Sequence, residues 1–424
     1  MNILYLCHRI PYPPNKGDKI RSFNEVKYLS KKHKIYLAFL IDDEKDLPYV
    51  NELKKYCETI DYDFIRPGWQ KIKSLPYLLS RKPFTVPYFY SKKLQKAVDY
   101  RLSTIKFDAI FAFSSPMAEY VLKSKAIQLT PHPSPLPSGE RDGVRGGYPR
   151  LIMDFVDVDS DKWRMYAEYS KFPKTLIYKN EWKSLMAYEK KIGKAFDISI
   201  FVSDAEVKLF KSFAPDVNAI SIPNGVDFSY FSNTTNKTIR SNEQKGFNIL
   251  FTGAMDYFPN EDGVLYFYYK IWPIIKDKLP QSKFYIVGGN PSKKLKTITG
   301  KDKDVLLTGY VDDVRQYVWK ADVFVAPLRI ARGIQNKILE ALAAGLPVVA
   351  TSRASQGIGC NGNEFLFIEN SAVKFAERTI SFADKRLSGK AVEKRESFLK
   401  QKYDWSGNLI ELEKILNIGG TRYS

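Results

Sequence analysis

VFVAPLRIARGIQNKILEALAAGLPVVAT, running from Val323 to Thr351, decides the fold. It opens on an apolar strand, VFVAPL, crosses a basic loop, and enters a helix at about Gly333. In that helix Ile334, Ile338 and Leu342 recur at four-residue spacing, the mark of a stripe turned to a core. Leu346, Pro347, Val348 and Val349 then start a second buried strand. Strand, helix, strand in one run is the unit of a parallel, doubly wound sheet. Lys337 and Glu340, three residues apart, fall on a different side of the helix from the stripe. Arg332 and Gly333 sit at its start, where unpaired backbone amides and the helix dipole favour an anion. A diphosphate suits that chemistry: Lys337 supplies a point charge one turn in, and Glu340 a carboxylate that accepts hydrogen bonds from vicinal hydroxyls such as those of a ribose. A basic helix start with one acid also occurs in purely structural helices.

Outward from this run, apolar strand candidates alternate with helical patterns, so the fold class is α/β. The first half offers ILYLCH from Ile3, KIYLAFLI from Lys34, FDAIFAF from Phe107, LIMDFVDV from Leu151 and ISIFVS from Ile198; the second offers FNILFTG from Phe247, KFYIVGG from Lys283, VLLTGYV from Val305, VFVAPL from Val323 and PVVAT from Pro347. Two similar sheets follow, and 424 residues with 44% hydrophobic content suffice for two cores. The polar stretch 229–246, rich in Asn, Thr, Ser and Lys, is the best linker; it follows IPNGVD, Ile222 to Asp227. Ligands of such sheets bind beyond the carboxyl ends of the strands. The loops there carry Arg9 to Asp18, Ser114 and Ser115, Asp157 to Asp161, Ser203 and Asp204, Gly253 to Asn260, Gly288 and Gly289, and Gly309 to Val311. The first of them, RIPYPPNKGDKIRS from Arg9, leads into a helix begun near Asp18, where Gly17 lets the backbone approach a phosphate or sugar.

The donor-site run, the Gly17 loop, MDFVDVDSDKW from Met153, VSDAE from Val202, IPNGVD and FTGAMDYFPN from Phe251 together resemble the retaining glycosyltransferases of family four, above all the sugar transferases linked to exosortase and PEP-CTERM systems. The resemblance implies the GT-B fold, two Rossmann-like doubly wound domains facing across a cleft that closes on the donor. The expected organisation is an N-terminal acceptor-side domain 1–228, a linker 229–246, a nucleotide-sugar domain 247–390, and C-terminal helices 391–424 packing back on the first domain. It also implies transfer of a sugar from a nucleoside diphosphate to a hydroxyl of an exopolysaccharide or lipid-linked glycan, with no metal or other cofactor and no settled protein nucleophile. Glu340 matches the family's second glutamate, which binds the ribose. The first position, eight residues earlier, holds Arg332, a departure that suits a phosphate or an acidic sugar. Lys337, Arg332 and helix amides are then expected to stabilise the departing diphosphate. Gly17, Gly253 and Gly333 line the donor, and the backbone near Tyr310 and Val311 meets the base. Arg9, Asp157 and Asp159 fall on the acceptor side.

Asp157 and Asp159, with one residue between, also copy a pattern that holds a divalent metal in another transferase class. The diphosphate cradle lies in the other half of the chain, so Asp159 is expected instead to cap the following helix or to orient an acceptor hydroxyl.

The formal charge is +19, and residues Arg66 to Lys106 hold ten Lys or Arg against the single acid Asp99, interleaved with Trp69, Tyr77, Phe84, Tyr88, Phe89, Tyr90 and Tyr100. That mixture reads as a face docking on an anionic membrane surface, and equally as a solvated basic surface. Use of a basic N-terminal domain on lipid-linked acceptors is what the resemblance implies. A non-catalytic basic protein binding nucleic acid or membrane is the alternative, but no zinc-finger, RRM or KH motif supports a nucleic-acid partner. An oxidoreductase or epimerase lacks its G-x-G-x-x-G turn, since CHRIPYPPNKG follows the first strand. With no run of eighteen apolar residues and no signal-peptide order, the expected location is cytoplasmic, peripheral on the inner face of the plasma membrane. Cys7, Cys57 and Cys360 are scattered and form no ligand spacing with His8, His33 and His132, which argues against zinc or a disulfide framework. Residues 128–149, QLTPHPSPLPSGERDGVRGGYP, have no apolar period and read as a disordered insertion.

Overall fold

A computed structural model of the chain describes residues 1–80, 82–128, 148–232, 246–360, 364–384 and 387–417. Most of the insertion reading (129–147) and of the linker reading (233–245) therefore lies outside the described residues.

The chain divides into two compact units. The first takes Met1–Ile222 and returns from Leu409. Its strands are β1 (Asn2–Cys7), β2 (Lys34–Ile41), β3 (Thr59–Phe64), β4 (Ala109–Phe113), β5 (Arg150–Val156), β6 (Ile198–Phe201) and β7 (Ala219–Ser221), all parallel in the order β3-β2-β1-β4-β5-β6-β7. The second, Pro223–Asn408, holds β8 (Asn248–Thr252), β9 (Lys283–Val287), β10 (Val305–Gly309), β11 (Val323–Ala326), β12 (Val348–Ala350) and β13 (Leu366–Ile368), parallel in the order β10-β9-β8-β11-β12-β13. Each is a Rossmann-like doubly wound sheet. In each the strand order reverses beside the first strand, between β1 and β4 and again between β8 and β11. Loops leaving the carboxyl ends at such a point splay apart and open a crevice. The helices that matter below are α1 (Gly17–Leu29), α2 (Pro67–Ser74), α3 (Asp159–Tyr169), α4 (Lys174–Ala195), α5 (Asn336–Ala343), α6 (Ala372–Ile380), α7 (Gly389–Lys402) and α8 (Trp405–Asn417).

Strands β3, β7 and β13 were not among the ten strand candidates named from the sequence. All three stand at sheet edges. β3 reads TIDYDF, with acids at Asp61 and Asp63, and β7 is three residues long. An edge strand packs on fewer neighbours, so the apolar signal that marks a central strand is weak there.

The passages between units fall at Ile222/Pro223 and Asn408/Leu409, earlier than the expected boundary at 228 and later than the one at 391. IPNGVD belongs largely to the second unit because the end of that unit's chain is built against it. Val226 N donates to the Tyr403 carbonyl at 2.8 Å, and Asn408 Nδ2 to those of Pro223 and Asn224 at 3.2 and 3.3 Å. α7 likewise stays with the second unit, where it packs on α5. Past Leu409, α8 belongs to the first unit, burying Leu409 and Leu412 and setting Glu413 Oε1 3.2 Å from His33 Nε2.

The core of the first unit encloses charge. Arg21, with no exposed surface, donates from Nε to Asp154 Oδ2 at 2.8 Å and from Nη1 to the Ile222 carbonyl at 2.8 Å; Glu25 Oε1 lies 3.0 Å from the same Nε, and Tyr5 donates its hydroxyl to Glu25. The network ties β1, α1 and β5 to the residue at which the chain leaves the unit.

Candidate functional site

In the second unit the loops after β8 and β11 flank the reversal of strand order. After Thr252 the chain turns at Gly253 (φ +152°), whose N–H donates to the Val287 carbonyl at 3.0 Å, while Met255 N donates to the Gly289 carbonyl at 2.9 Å. The loops after β8 and β9 are thus laced by backbone hydrogen bonds. A β-carbon at Gly288 would stand 1.8 Å from the Gly253 carbonyl oxygen, so the approach is closed to any larger residue. The loop runs on into a helix that starts at Phe258, and Asn260 in its first turn is buried, its Nδ2 donating to the Ala254 carbonyl at 2.8 Å.

From the other side comes α5. It starts at Asn336, three residues later than the stripe suggests, because Gly333 adopts a left-handed backbone (φ +57°) and Gln335, the N-cap, is extended. Arg332 and Gly333 therefore precede the helix; they do not form its first turn. Ile334, Ile338 and Leu342 are all buried, as the spacing requires. No side chain of Gln335 caps the helix. Asn336 Oδ1 accepts from Asn224 Nδ2 at 3.0 Å, fastening the first turn to the IPNGVD segment of the same unit.

Lys337 and Glu340 are half-buried on α5. Lys337 Nζ donates to Asn260 Oδ1 at 2.5 Å and lies 4.5 Å from the centre of the Phe251 ring. A β-carbon at Gly253 would come 2.8 Å from that Nζ and 2.6 Å from Asn260 Nδ2. Burial among these groups pushes the Lys337 ammonium down to about 7, against the pull of the Glu340 charge, and pushes the Glu340 carboxyl up to about 7, against Lys337. The structure thus brings Gly253 and Lys337 together, with Glu340 one turn along the helix. Tyr310 is largely exposed and backs onto Gly289, next to the same laced loops; Val311 follows it. Of Asn260 and Asn336, which hold this arrangement, the first entered the sequence reading only as the end of the loop from Gly253 and the second was given no role. Their signal was position: each sits in the first turn of a helix leaving a strand beside the reversal of order.

In the first unit, Arg9 is held by Asp18 (Nη1 to Oδ2, 3.0 Å) and Asp42 (Nε to Oδ2, 2.8 Å), its guanidinium 5.7 Å from the Phe89 ring centre. Burial alone would raise Asp18, but His8 Nε2 at 3.2 Å and Arg9 hold its carboxyl well below the usual carboxylate range. Gly17 opens α1, yet Asp18 Oδ1 accepts from Lys19 N at 3.0 Å, so a protein carboxylate already meets that helix start. Asp157 follows Val156, whose backbone is left-handed (φ +68°). Asp159 does not cap α3, contrary to one of the two expectations. The N-cap is Val158, and the amides of that turn are taken by two buried glutamates: Val158 N donates to Glu206 Oε2 at 2.8 Å and Ser160 N to Glu189 Oε1 at 3.0 Å. Asp159, already inside the helix, accepts from Ser115 Oγ at 3.3 Å at the ends of β4 and β5.

Residues 246–385 match the family model described as glycosyl transferases group 1. The two sheets have the GT-B fold, and the match to the glycosyl transferase family lies within the second unit. The matched stretch contains Gly253, Asn260, Lys337 and Glu340, so the arrangement above lies inside the region of similarity. Over 95% of its length the chain is 24% identical to an uncharacterized 44.6 kDa protein in the cps region of Klebsiella pneumoniae, covering 96% of that protein. Its fold is similar to that of Anabaena HepE (Alr3699) in complex with UDP-glucose (TM-score 0.68, 14% identity, 98% of this chain and 99% of that one). It is equally similar to sucrose-phosphate synthase from Thermosynechococcus elongatus (TM-score 0.68, 16% identity, 98% of each chain).

Proposed function

We propose that this chain moves a sugar, with retention of configuration, from a nucleoside-diphosphate sugar to a hydroxyl of an exopolysaccharide or lipid-linked glycan. The observation that carries the donor half of the reading is Lys337, held at the uncapped start of α5 by a neutral amide and facing the space that a side chain at Gly253 would fill. In this reading the diphosphate lies against the first turn of α5. Lys337 and the helix amides offset the charge that develops on it as the glycosidic bond to the donor breaks. Arg332, in the loop just before Gly333, adds a second cation. Glu340 accepts hydrogen bonds from the ribose hydroxyls, and the backbone at Tyr310 and Val311 borders the base. The charge is met by protein cations and amides, so the reading needs no metal. The leaving phosphate helps remove the acceptor proton, so no protein base is assigned. Arg9, Asp157 and Asp159 remain the acceptor-side residues, with Asp159 orienting a hydroxyl beside Ser115. UDP-glucose in the HepE structure supports a nucleotide-sugar donor, and the cps-region relative supports a glycan acceptor.

The acceptor reading extends to an anionic membrane surface on the cytoplasmic side. Its support is α2, which is amphipathic in the inverted sense: Gln70 and Ser74 are buried, while Trp69 (66% exposed), Ile72 (57%) and Leu75 (55%), at three-residue steps, face out beside Lys71 and Lys73. Among the described residues no helix is long and apolar enough to cross a membrane.

Titration calorimetry with UDP, GDP and their sugars, on wild type and Lys337→Met, tests the donor assignment. One nucleotide is expected to bind wild type and to lose at least about tenfold in affinity in the variant, with the folded state retained. Unchanged affinity would remove Lys337 from the site.

A further inference from the structure

Lysine carries four rotatable bonds, and a lysine left to wander must be immobilised at the moment its ligand arrives. Lys337 is already fixed. Its Nζ is pinned from one side by Asn260 Oδ1 at 2.5 Å and from another by the face of Phe251 at 4.5 Å. The pinning group is an amide oxygen. A carboxylate in that position would place a full negative charge against the ammonium and compete with an incoming diphosphate; an amide oxygen directs one N–H and leaves the net charge intact. Asn260 is itself held. It is buried, and its own N–H group is spent on the Ala254 carbonyl at 2.8 Å, which fixes which face of the amide meets the lysine. The carboxylate of Glu340 lies one turn along α5 and acts on Lys337 through space. Gly253 completes the arrangement, because a β-carbon there would overlap both partners, at 2.6 Å from Asn260 Nδ2 and 2.8 Å from Lys337 Nζ.

We propose that Asn260 is a positioning residue for sugar transfer: through its side-chain oxygen it holds the Lys337 ammonium in place for the donor diphosphate without neutralising it. The proposal rests on the donor reading above and adds a residue on a different element, in the first turn of the helix that starts at Phe258. Asn260 touches no reacting atom. It acts through Lys337, so its effect vanishes when Lys337 is gone, whereas a merely structural role in the Ala254 turn persists.

A double-mutant cycle on UDP affinity makes that distinction, with wild type, Asn260→Ala, Lys337→Met and the double variant measured by calorimetry and checked for folding by thermal unfolding. Asn260→Ala is expected to weaken UDP by about fivefold in the wild-type background and to leave it within about twofold in the Lys337→Met background. Equal losses in both backgrounds, or no loss in either, would overturn the proposal while the donor reading stands. If Lys337→Met itself binds UDP like wild type, both fall together. Asn260→Asp covers the case in which the alanine variant does not fold. It keeps an oxygen beside Nζ but supplies a charge, so it is expected to weaken UDP and to carry the alkaline fall of UDP affinity to higher pH. An aspartate variant with wild-type affinity and an unmoved pH profile would overturn the proposal as well.

Discussion

Lys337 and Glu340 stand three residues apart on α5, and burial displaces them toward the same pH, the amine down to about 7 and the carboxyl up to about 7. Each charge favours the charged form of the other, against the burial that displaces both. A bound diphosphate favours the ammonium, so above about pH 7 binding must take up a proton and affinity falls by up to about tenfold per pH unit. A ribose hydroxyl donating to Glu340 favours the carboxylate, so below about 7 binding must release a proton and affinity falls in the other direction. UDP affinity is therefore expected to pass through a maximum near neutrality. Lys337→Met should flatten the alkaline limb and Glu340→Gln the acid limb. Calorimetry between pH 5.5 and 8.5 in buffers of different ionisation enthalpy would also read the proton exchanged; an affinity flat over that range contradicts the pairing.

Gly253→Ala introduces one methyl group into the space that Lys337 Nζ and Asn260 Nδ2 now border at 2.8 and 2.6 Å. Backbone strain from the positive φ adds about 1 kcal/mol. The second unit should still fold, with its unfolding temperature lowered by a few degrees, while UDP affinity drops at least about tenfold because the lysine is pushed off its seat. Wild-type transfer rates in this variant would show that the lysine does not work from the position described.

How far the sequence reached depended on whether a signal was local. Central strands declared themselves because they are apolar over their whole length, as in KIYLAFLI or VFVAPL, and the α5 stripe did so through Ile334, Ile338 and Leu342. Lys337 and Glu340 were legible because they break that stripe on one face. The true helix start was not, since it turns on the left-handed backbone at Gly333, a choice made by packing. Asn260 was invisible as a partner of Lys337 because 77 residues separate them, and only the β8–β11 neighbourhood joins them. Asp159 was misjudged as a cap for a similar reason: the carboxyl groups that cap α3, those of Glu189 and Glu206, arrive from elements 29 and 48 residues away.

Glu189 is fully buried, and that burial pushes its carboxyl up to about 8, partly offset by hydrogen bonds from Ser160 and reinforced by Asp159. A carboxyl raised in the folded state keeps its full stabilising weight below the unfolded value of about 4.5 and loses it as pH climbs toward 8. Glu189→Gln keeps the shape and one acceptor for Ser160 N but cannot ionise. It should be stabilising by less than about 1 kcal/mol at pH 5 and by up to about 4 kcal/mol at pH 8. Urea unfolding of both proteins at the two pH values checks this; a difference that does not change with pH would mean that Glu189 is charged in the folded chain.

The inverted face of α2 yields the remaining prediction. A soluble helix turns its apolar stripe inward, yet Gln70 and Ser74 hold that place while Trp69, Ile72 and Leu75 stand in solvent. Charge beside the stripe is concentrated too: Lys73, whose Nζ donates to the Tyr90 carbonyl at 2.8 Å, is pushed down by its burial and then by the nearby Lys92 and Lys123. Like charges crowded at the edge of an apolar stripe repel a second copy of the same face but match an anionic lipid surface, where Trp sits at headgroup depth. Changing Trp69, Ile72 and Leu75 together to Ser should reduce binding to phosphatidylglycerol vesicles at least about tenfold, with UDP affinity unchanged. Wild-type binding should weaken with added salt and with loss of the anionic lipid, as surface charge is screened or removed. Vesicle binding that survives the triple substitution would move the docking face elsewhere; a wild-type protein that ignores anionic vesicles would leave the stripe as a contact for some other apolar surface.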